Sequence, residues 1–207
     1  MATKPKASIN FQDLMLHRIH EILLVASPYD AFILEEDGRL TQQILYEYLG
    51  MNLSYAPRVW HAKNASIGLQ MLSNRSFDLV IVMMRIADMD PITFGEKVQE
   101  SYPDKPIILL AFDESEIANL PQDRLDKTID KVFIWTGNAN VFPAIIKNIE
   151  DRMNLHRDYK IADIRAIVLV EDNPRFYSII LPLIYRTALK HARDLINKSL
   201  SDTDKVL

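Results

Sequence analysis

DLVIVMMRIADMDPITFGEKVQESYPDKPIILLAF, residues 78–112, decides the fold. Its opening, DLVIVMM at 78–84, is a short apolar strand candidate. Asp90-Pro91 then reads as a helix start, with a carboxylate at the N-cap and proline at the first helical position. The helix runs to about Tyr102, and Pro103 lies just beyond it. PIILLA at 106–111 is a second strand candidate. Strand, helix and strand of this size argue for a parallel sheet with helices on its faces.

The alternation extends in both directions. IHEILLV at 19–25 is a continuous apolar run, as expected for a strand buried on both faces. RVWHA at 58–62 and KVFIW at 131–135 are further strand candidates. Leu40, Ile44, Leu45, Tyr48 and Leu49 recur at helical spacing, and so do Ile67, Leu69, Met71 and Leu72. Val141, Ile145, Ile146, Ile149 and Met153 trace one face of a long helix. Five such units suit an α/β, flavodoxin-like doubly wound domain with a five-stranded parallel sheet over residues 18–157. Residues 1–17 read as a flexible N-terminal tail and 158–164 as a polar linker.

Residues 165–207 form a C-terminal appendage. RAIVLV at 165–170 is a sixth strand candidate, followed by Glu171-Asp172-Asn173-Pro174 and a helical stretch over roughly 175–200. Pro182 is expected to kink that helix or to mark its true start. The run 176–185 is apolar nearly all round, so it calls for neighbours on more than one side. No repeat of 20–50 residues appears, yet 19–30 and 165–176 begin alike: strand, turn, proline, helix.

Composition narrows the function. The chain has 207 residues, 48% of them hydrophobic, enough to bury a core. A net charge of −4 offers nothing to a phosphate backbone, so no nucleic-acid partner is expected. There is no cysteine, which removes disulfides, thiolate catalysis and cysteine-based zinc sites and fits a reducing compartment. The longest apolar runs fall well short of the roughly 20 residues of a transmembrane helix. The polar first ten residues do not resemble a signal peptide. A cytoplasmic, soluble protein is expected, with no membrane contact.

The layout resembles that of a response-regulator receiver (CheY-like) domain, and the resemblance covers about two thirds of the chain. In that family the first strand ends in two acidic residues that hold Mg²⁺; here ILLV at 22–25 leads into Ala26-Ser27-Pro28. The third strand ends in the aspartate that takes the phosphoryl group; here Met83 stands there. Only Met89-Asp90 matches the loop that follows. The fourth strand ends in Thr or Ser, then Ala; here Leu110 precedes Ala111. The fifth ends in Lys-Pro; here it ends in Trp135-Thr136, and Lys131 lies too early for the lysine's place. Mg²⁺ wants hard oxygen ligands, and Met83 offers a soft thioether. Ala26, Ser27, Met83, Leu110 and Trp135 together therefore describe a degenerate phosphorylation pocket, an apolar plug where the family has a switch.

Other candidates are weaker. Asp88 and Asp90 could form a displaced metal pair, but Asp90 already has an N-cap role. Glu35-Glu36-Asp37-Gly38 reads as a solvated turn that lengthens the loop after the first strand. His17, His20 and His61 show no metal spacing. No metal is expected in the first domain. Glu171 and Asp172 differ, because they follow an apolar strand and precede Asn-Pro as the receiver's acidic pair does. They are weak metal candidates and suggest the start of a second receiver-like unit, with the chain a fragment of a longer protein. IVLVEDNPRFYSIILPLIYR at 167–186 also resembles regions of large bacterial proteins that join receiver-like modules to phosphoenolpyruvate-synthase-type phosphotransferase domains.

The leading expectation is a pseudo-receiver in bacterial two-component signal transduction: non-enzymatic, without a cofactor, binding a protein partner. That partner would be a signalling protein or the remainder of a longer chain, and a homodimer through the C-terminal helix, or a strand 166–170 added to a sheet edge, is a further expectation. Receivers often associate through a face that here spans about 114–157. Three alternatives stand beside this. One is a phosphorelay receiver with Asp88 or Asp172 as an unorthodox acceptor. Another is the N-terminal regulatory piece of a larger phosphotransferase. The last is a small-molecule domain, disfavoured by only five glycines and no Gly-rich phosphate loop.

Overall fold

A computed structural model describes residues 16–36, 39–50, 56–162 and 166–203. Five strands form one sheet: β1 (Glu21–Val25), β2 (Arg58–Ala62), β3 (Leu79–Met83), β4 (Ile107–Ala111) and β5 (Lys131–Ile134). All neighbouring pairs are parallel, in the order β2-β1-β3-β4-β5. This is the flavodoxin-like doubly wound sheet that the alternation predicts. Its three central strands are apolar on both faces because both faces are covered.

One face carries α3 (Ala65–Asn74), α4 (Pro91–Ser101), α5 (Glu114–Ile117) and α6 (Gln122–Thr128); there Leu23, Val25, Val80, Val82, Ile107 and Leu109 meet Phe94 and Val98. The other carries α1 (Pro28–Glu36), α2 (Leu40–Gly50), α7 (Val141–Ala162) and the start of α8 (Pro174–Thr203). On α2 the predicted stripe divides: Leu40, Ile44 and Tyr48 are buried, whereas Leu45 and Leu49 face out. Among the described residues, no helix is long and apolar enough to cross a membrane.

Four expectations change. Glu35 and Glu36 belong to the last turn of α1, so the loop after β1 is only Ala26-Ser27; Asp37 and Gly38 lie outside the described residues. Ser27 makes this short loop possible, because its Oγ accepts from Asp30 N at 3.1 Å and caps α1. The linker placed at 158–164 is helical as far as Ala162, because α7 continues for 22 residues, and Asp158 is buried. Of the N-terminal tail, residues 1–15 lie outside the described residues; His17 is bound through its backbone to Asn154 (N to Oδ1 2.9 Å, Nδ2 to O 2.7 Å).

The fourth change concerns the appendage. Residues 166–170 form no strand, and Ile167, Val168 and Val170 are 75%, 80% and 90% exposed. The adjacent sheet edge is already covered by α8. Ser178 Oγ accepts from the β5 amide Ile134 N at 2.8 Å. Tyr177 stands edge-on to Phe133 with ring centroids 5.5 Å apart, and Leu181 is buried. Helix α8 begins at Pro174, capped by Asn173, and contains Pro182 rather than starting there. It sits on β5 and α7, so part of the face spanning about 114–157 carries the chain's own helix.

A Ser178→Ala replacement would strand the buried Ile134 amide, at about 1–3 kcal/mol. The expected result is a melting temperature lower by a few degrees, about 2–4 °C per kcal/mol. Faster amide exchange at Ile134 should accompany it. An unchanged rate at that amide would show that the hydroxyl does not hold the edge.

Candidate functional site

In a doubly wound sheet, ligands gather beyond the carboxyl ends of the central strands. Here that place is filled. Ala26, Met83 and Leu110 are 0%, 1% and 0% exposed, and Trp135 is 7% exposed. All four belong to one buried cluster on the α7 face of the sheet. Register explains their meeting: Met83 pairs with Leu110 across β3 and β4, and Leu110 with Phe133 across β4 and β5. Trp135 follows one residue beyond β5, its amide donating to Ala111 O at 2.7 Å and its ring 5.6 Å from Phe142.

The residues at the ends of β1 and β3 do not fit a hard divalent cation. Ala26 has no side-chain oxygen. Its backbone is also engaged: its amide donates to Ala62 O (3.1 Å), and its carbonyl accepts from His61 Nε2 (2.8 Å). Ser27 Oγ is engaged in capping α1. Met83 brings a sealed thioether. Lys131 sits at the opposite end of β5, with Nζ 4.0 Å from the centre of the Tyr177 ring, and so cannot serve the mouth.

The acidic candidates have structural tasks. Asp88 closes the N-terminus of α3, its Oδ1 accepting from Ala65 N (2.8 Å) and Oδ2 from Ser66 N (3.0 Å). Hydrogen bonding with Ser66, ahead of the bond from Ala65, holds its carboxyl below the usual range. Asp90 caps α4 through Thr93 N at 3.0 Å. Burial pushes Asp90 up, but the bonds from Thr93 outweigh it and the net shift is down. Glu171 Oε1 accepts from Asn173 N at 2.9 Å and shapes the turn into α8. Glu171 and Asp172 line a groove of about 250 Å³ with Asp126, Lys131 and Tyr177, away from Met83. Among the described residues, no group of three or more His, Asp or Glu is arranged to hold a metal.

Three residues at the mouth escaped the sequence reading. Asp30 is 1% exposed, and neither carboxylate oxygen has a hydrogen-bond partner among the described residues. Arg85, two residues beyond Met83, donates through Nε and Nη2 to Glu116 Oε1 at 3.0 and 2.7 Å. Glu116 Oε2 accepts from Phe112 N at 2.8 Å, so one carboxylate ties the loop after β3 to the loop after β4. Glu116 is the first cause that holds the Arg85 guanidinium protonated, with the Asp30 charge a weaker one. A lone Arg after a strand and a Glu after the next carry no local pattern that would have joined them.

A second buried network lies at the amino end of β1. Glu150 is 0% exposed; its Oε1 accepts from Ile19 N (2.9 Å) and Tyr48 OH (3.2 Å), and its Oε2 from Lys147 Nζ (2.6 Å). Burial first, and the Glu150 charge second, push the Tyr48 phenol up, so it stays a donor.

No protein-family model matches the chain, and no curated protein matches it either. Solved structures do. A response regulator receiver domain protein from Clostridium thermocellum is 16% identical with a TM-score of 0.50, covering 67% of this chain and 99% of that one. A CheY-like response regulator receiver domain protein from Methanospirillum hungatei JF-1 is 20% identical with a TM-score of 0.50, covering 67% of this chain and 98% of that one. At these identities the likeness is one of fold.

Proposed function

We propose that this chain is a receiver-like module that takes no phosphoryl group and acts in bacterial signal transduction by binding another protein. The observation that carries this reading is Met83, sealed at the carboxyl end of β3 with Leu110 beside it and Ala26 and Trp135 in the same cluster. A thioether is no phosphoryl acceptor, and neither Ala26 nor Ser27 at the end of β1 brings a carboxylate. Asp88 and Asp90, the nearby carboxylates in the loop after β3, are engaged in capping helices. The module is non-enzymatic in this reading and works from the cytoplasm, and its surfaces rather than its pocket carry the signal.

Incubating the chain with Mg²⁺ and acetyl phosphate, followed by intact mass measurement, tests this. The expected spectrum is that of the unmodified chain. A stoichiometric phosphate adduct mapped within 18–157 would refute the reading.

A further inference from the structure

Two β–α units in this chain begin alike and end differently. ILLV at 22–25 turns through Ala26-Ser27 into α1 at Pro28; IVLV at 167–170 turns through 171–173 into α8 at Pro174. The first run is sealed, with Ile22, Leu23, Leu24 and Val25 at most 3% exposed, β2 on one side and β3 on the other. The second has the same chemistry and stands open, with Ile167, Val168 and Val170 at least 75% exposed. Only Leu169 turns toward the core. A run apolar on both faces is the pattern of a strand inside a parallel sheet, with neighbours on both edges.

The helices repeat the comparison. Setting Pro28 against Pro174 places Asp30 against Phe176 and Leu34 against Ile180. Asp30 and Leu34 are the buried positions of α1. On α8 Phe176 is 56% exposed and Ile180 half-buried; beside them Ile179 and Leu183 are 40% and 54% exposed, and Phe176, Ile179 and Leu183 make a stripe at helical spacing. Tyr177, Ser178 and Leu181 form the other stripe, which already rests on β5 and α7. Helix α8 therefore carries two apolar stripes side by side. One is used by the domain in hand, and the other continues that interface outward next to the exposed apolar run 167–170.

We infer that residues 166–183 are half of a second β–α unit, and that their open face is a docking surface for the parallel strands of a further doubly wound sheet. The occupant is a partner that presents Val-, Ile- and Leu-rich strands edge-on, to lie alongside 166–170 beneath the Phe176, Ile179 and Leu183 stripe. A second copy of this chain fits less well. Two-fold symmetry would pair the two 166–170 segments antiparallel in a two-stranded ribbon, which is marginal by itself. The inference rests on the interaction module proposed above and names its partner.

The test uses the full chain alone and the full chain extended after Leu207 by a Gly/Ser linker and a duplicate of residues 56–157. That duplicate supplies the strands that surround β1 in the first unit. Hydrogen exchange is read by mass spectrometry. In the parent, 167–170 should exchange without protection, sedimentation should give a monomer, and Val168→Asp should melt with the parent. In the extended chain, exchange at 167–170 should slow by about 100-fold. The extended chain carrying Val168→Asp and Leu183→Asp should stay fast. Protection at 167–170 in the parent, as a monomer or a dimer, overturns the inference, as does a destabilised Val168→Asp parent. So do added strands that stay unfolded, or that fold without slowing 167–170. A phosphate adduct would instead refute the proposed function and leave these exchange results untouched, so the two failures are distinguishable.

Discussion

Glu150→Ala should destabilise the chain by about 3–5 kcal/mol, the usual cost of removing one partner of a buried ion pair. Lys147, 5% exposed, would keep its ammonium without the carboxylate 2.6 Å away. Ile19 N and Tyr48 OH would lose the same acceptor, so the entrance to β1 would come loose from α7 and α2. At about 2–4 °C per kcal/mol the melting temperature should fall by about 6–20 °C. A double replacement, Glu150→Leu with Lys147→Met, should recover part of the loss, because no buried charge then remains without a partner. A Glu150→Ala protein melting within about 2 °C of the parent would show that the network contributes little.

Met83→Asp should cost about 4 kcal/mol near pH 8, and the cost should depend on pH. The side chain is 1% exposed, between Leu110 and the Trp135 cluster, where nothing solvates a carboxylate. Burial raises the introduced carboxyl from about 3.9 to about 7–9. A folded-state pKa raised above the unfolded value means that the folded chain binds the proton more tightly. The deficit is therefore smallest below about pH 4, grows as pH rises through the window, and levels off above the folded pKa. Denaturant melts of variant and parent from pH 4 to 9 measure this. A variant that matches the parent at pH 7 and gains Mg²⁺ binding would show that the pocket is open.

The plug and the sheet were legible for the same reason. A strand buried on both faces must be apolar throughout, so ILLV at 22–25, LVIVM at 79–83 and IILLA at 107–111 announce both the strands and where they end. Once the strand ends are known, the last residues of each strand and those just beyond lie at the mouth. Ala26, Met83, Leu110 and Trp135 follow without any knowledge of the packing. The helix start at Asp90 was equally readable, because a cap is a contact between near neighbours, whereas the sequence left the start of α8 open between about 175 and Pro182 and the Asn173 cap places it at Pro174.

The appendage was not readable in this way. RAIVLV at 165–170 has a strand's composition and still forms no strand, since a strand also needs a neighbour with free amides and carbonyls. The neighbouring edge amide at Ile134 is taken by Ser178, 44 positions along the chain. Asp30 drew no reading and is buried; Arg85 and Glu116 carried no pattern and bind across 31 positions. The unbroken run of α7 to Ala162 likewise went unread, and the stretch from 158 looked like a polar linker. By itself, then, the sequence determined the α/β class, the five strands and the absence of a carboxylate at Ala26, Ser27 and Met83. Hydrophobic period and local capping are properties of adjacent residues. Tertiary structure alone decided that α8 seals the β5 edge, that Glu150 anchors β1, and that 167–170 stands open. The first two are set by partners distant in the chain, and a periodic pattern shows that a face is apolar without showing what covers it.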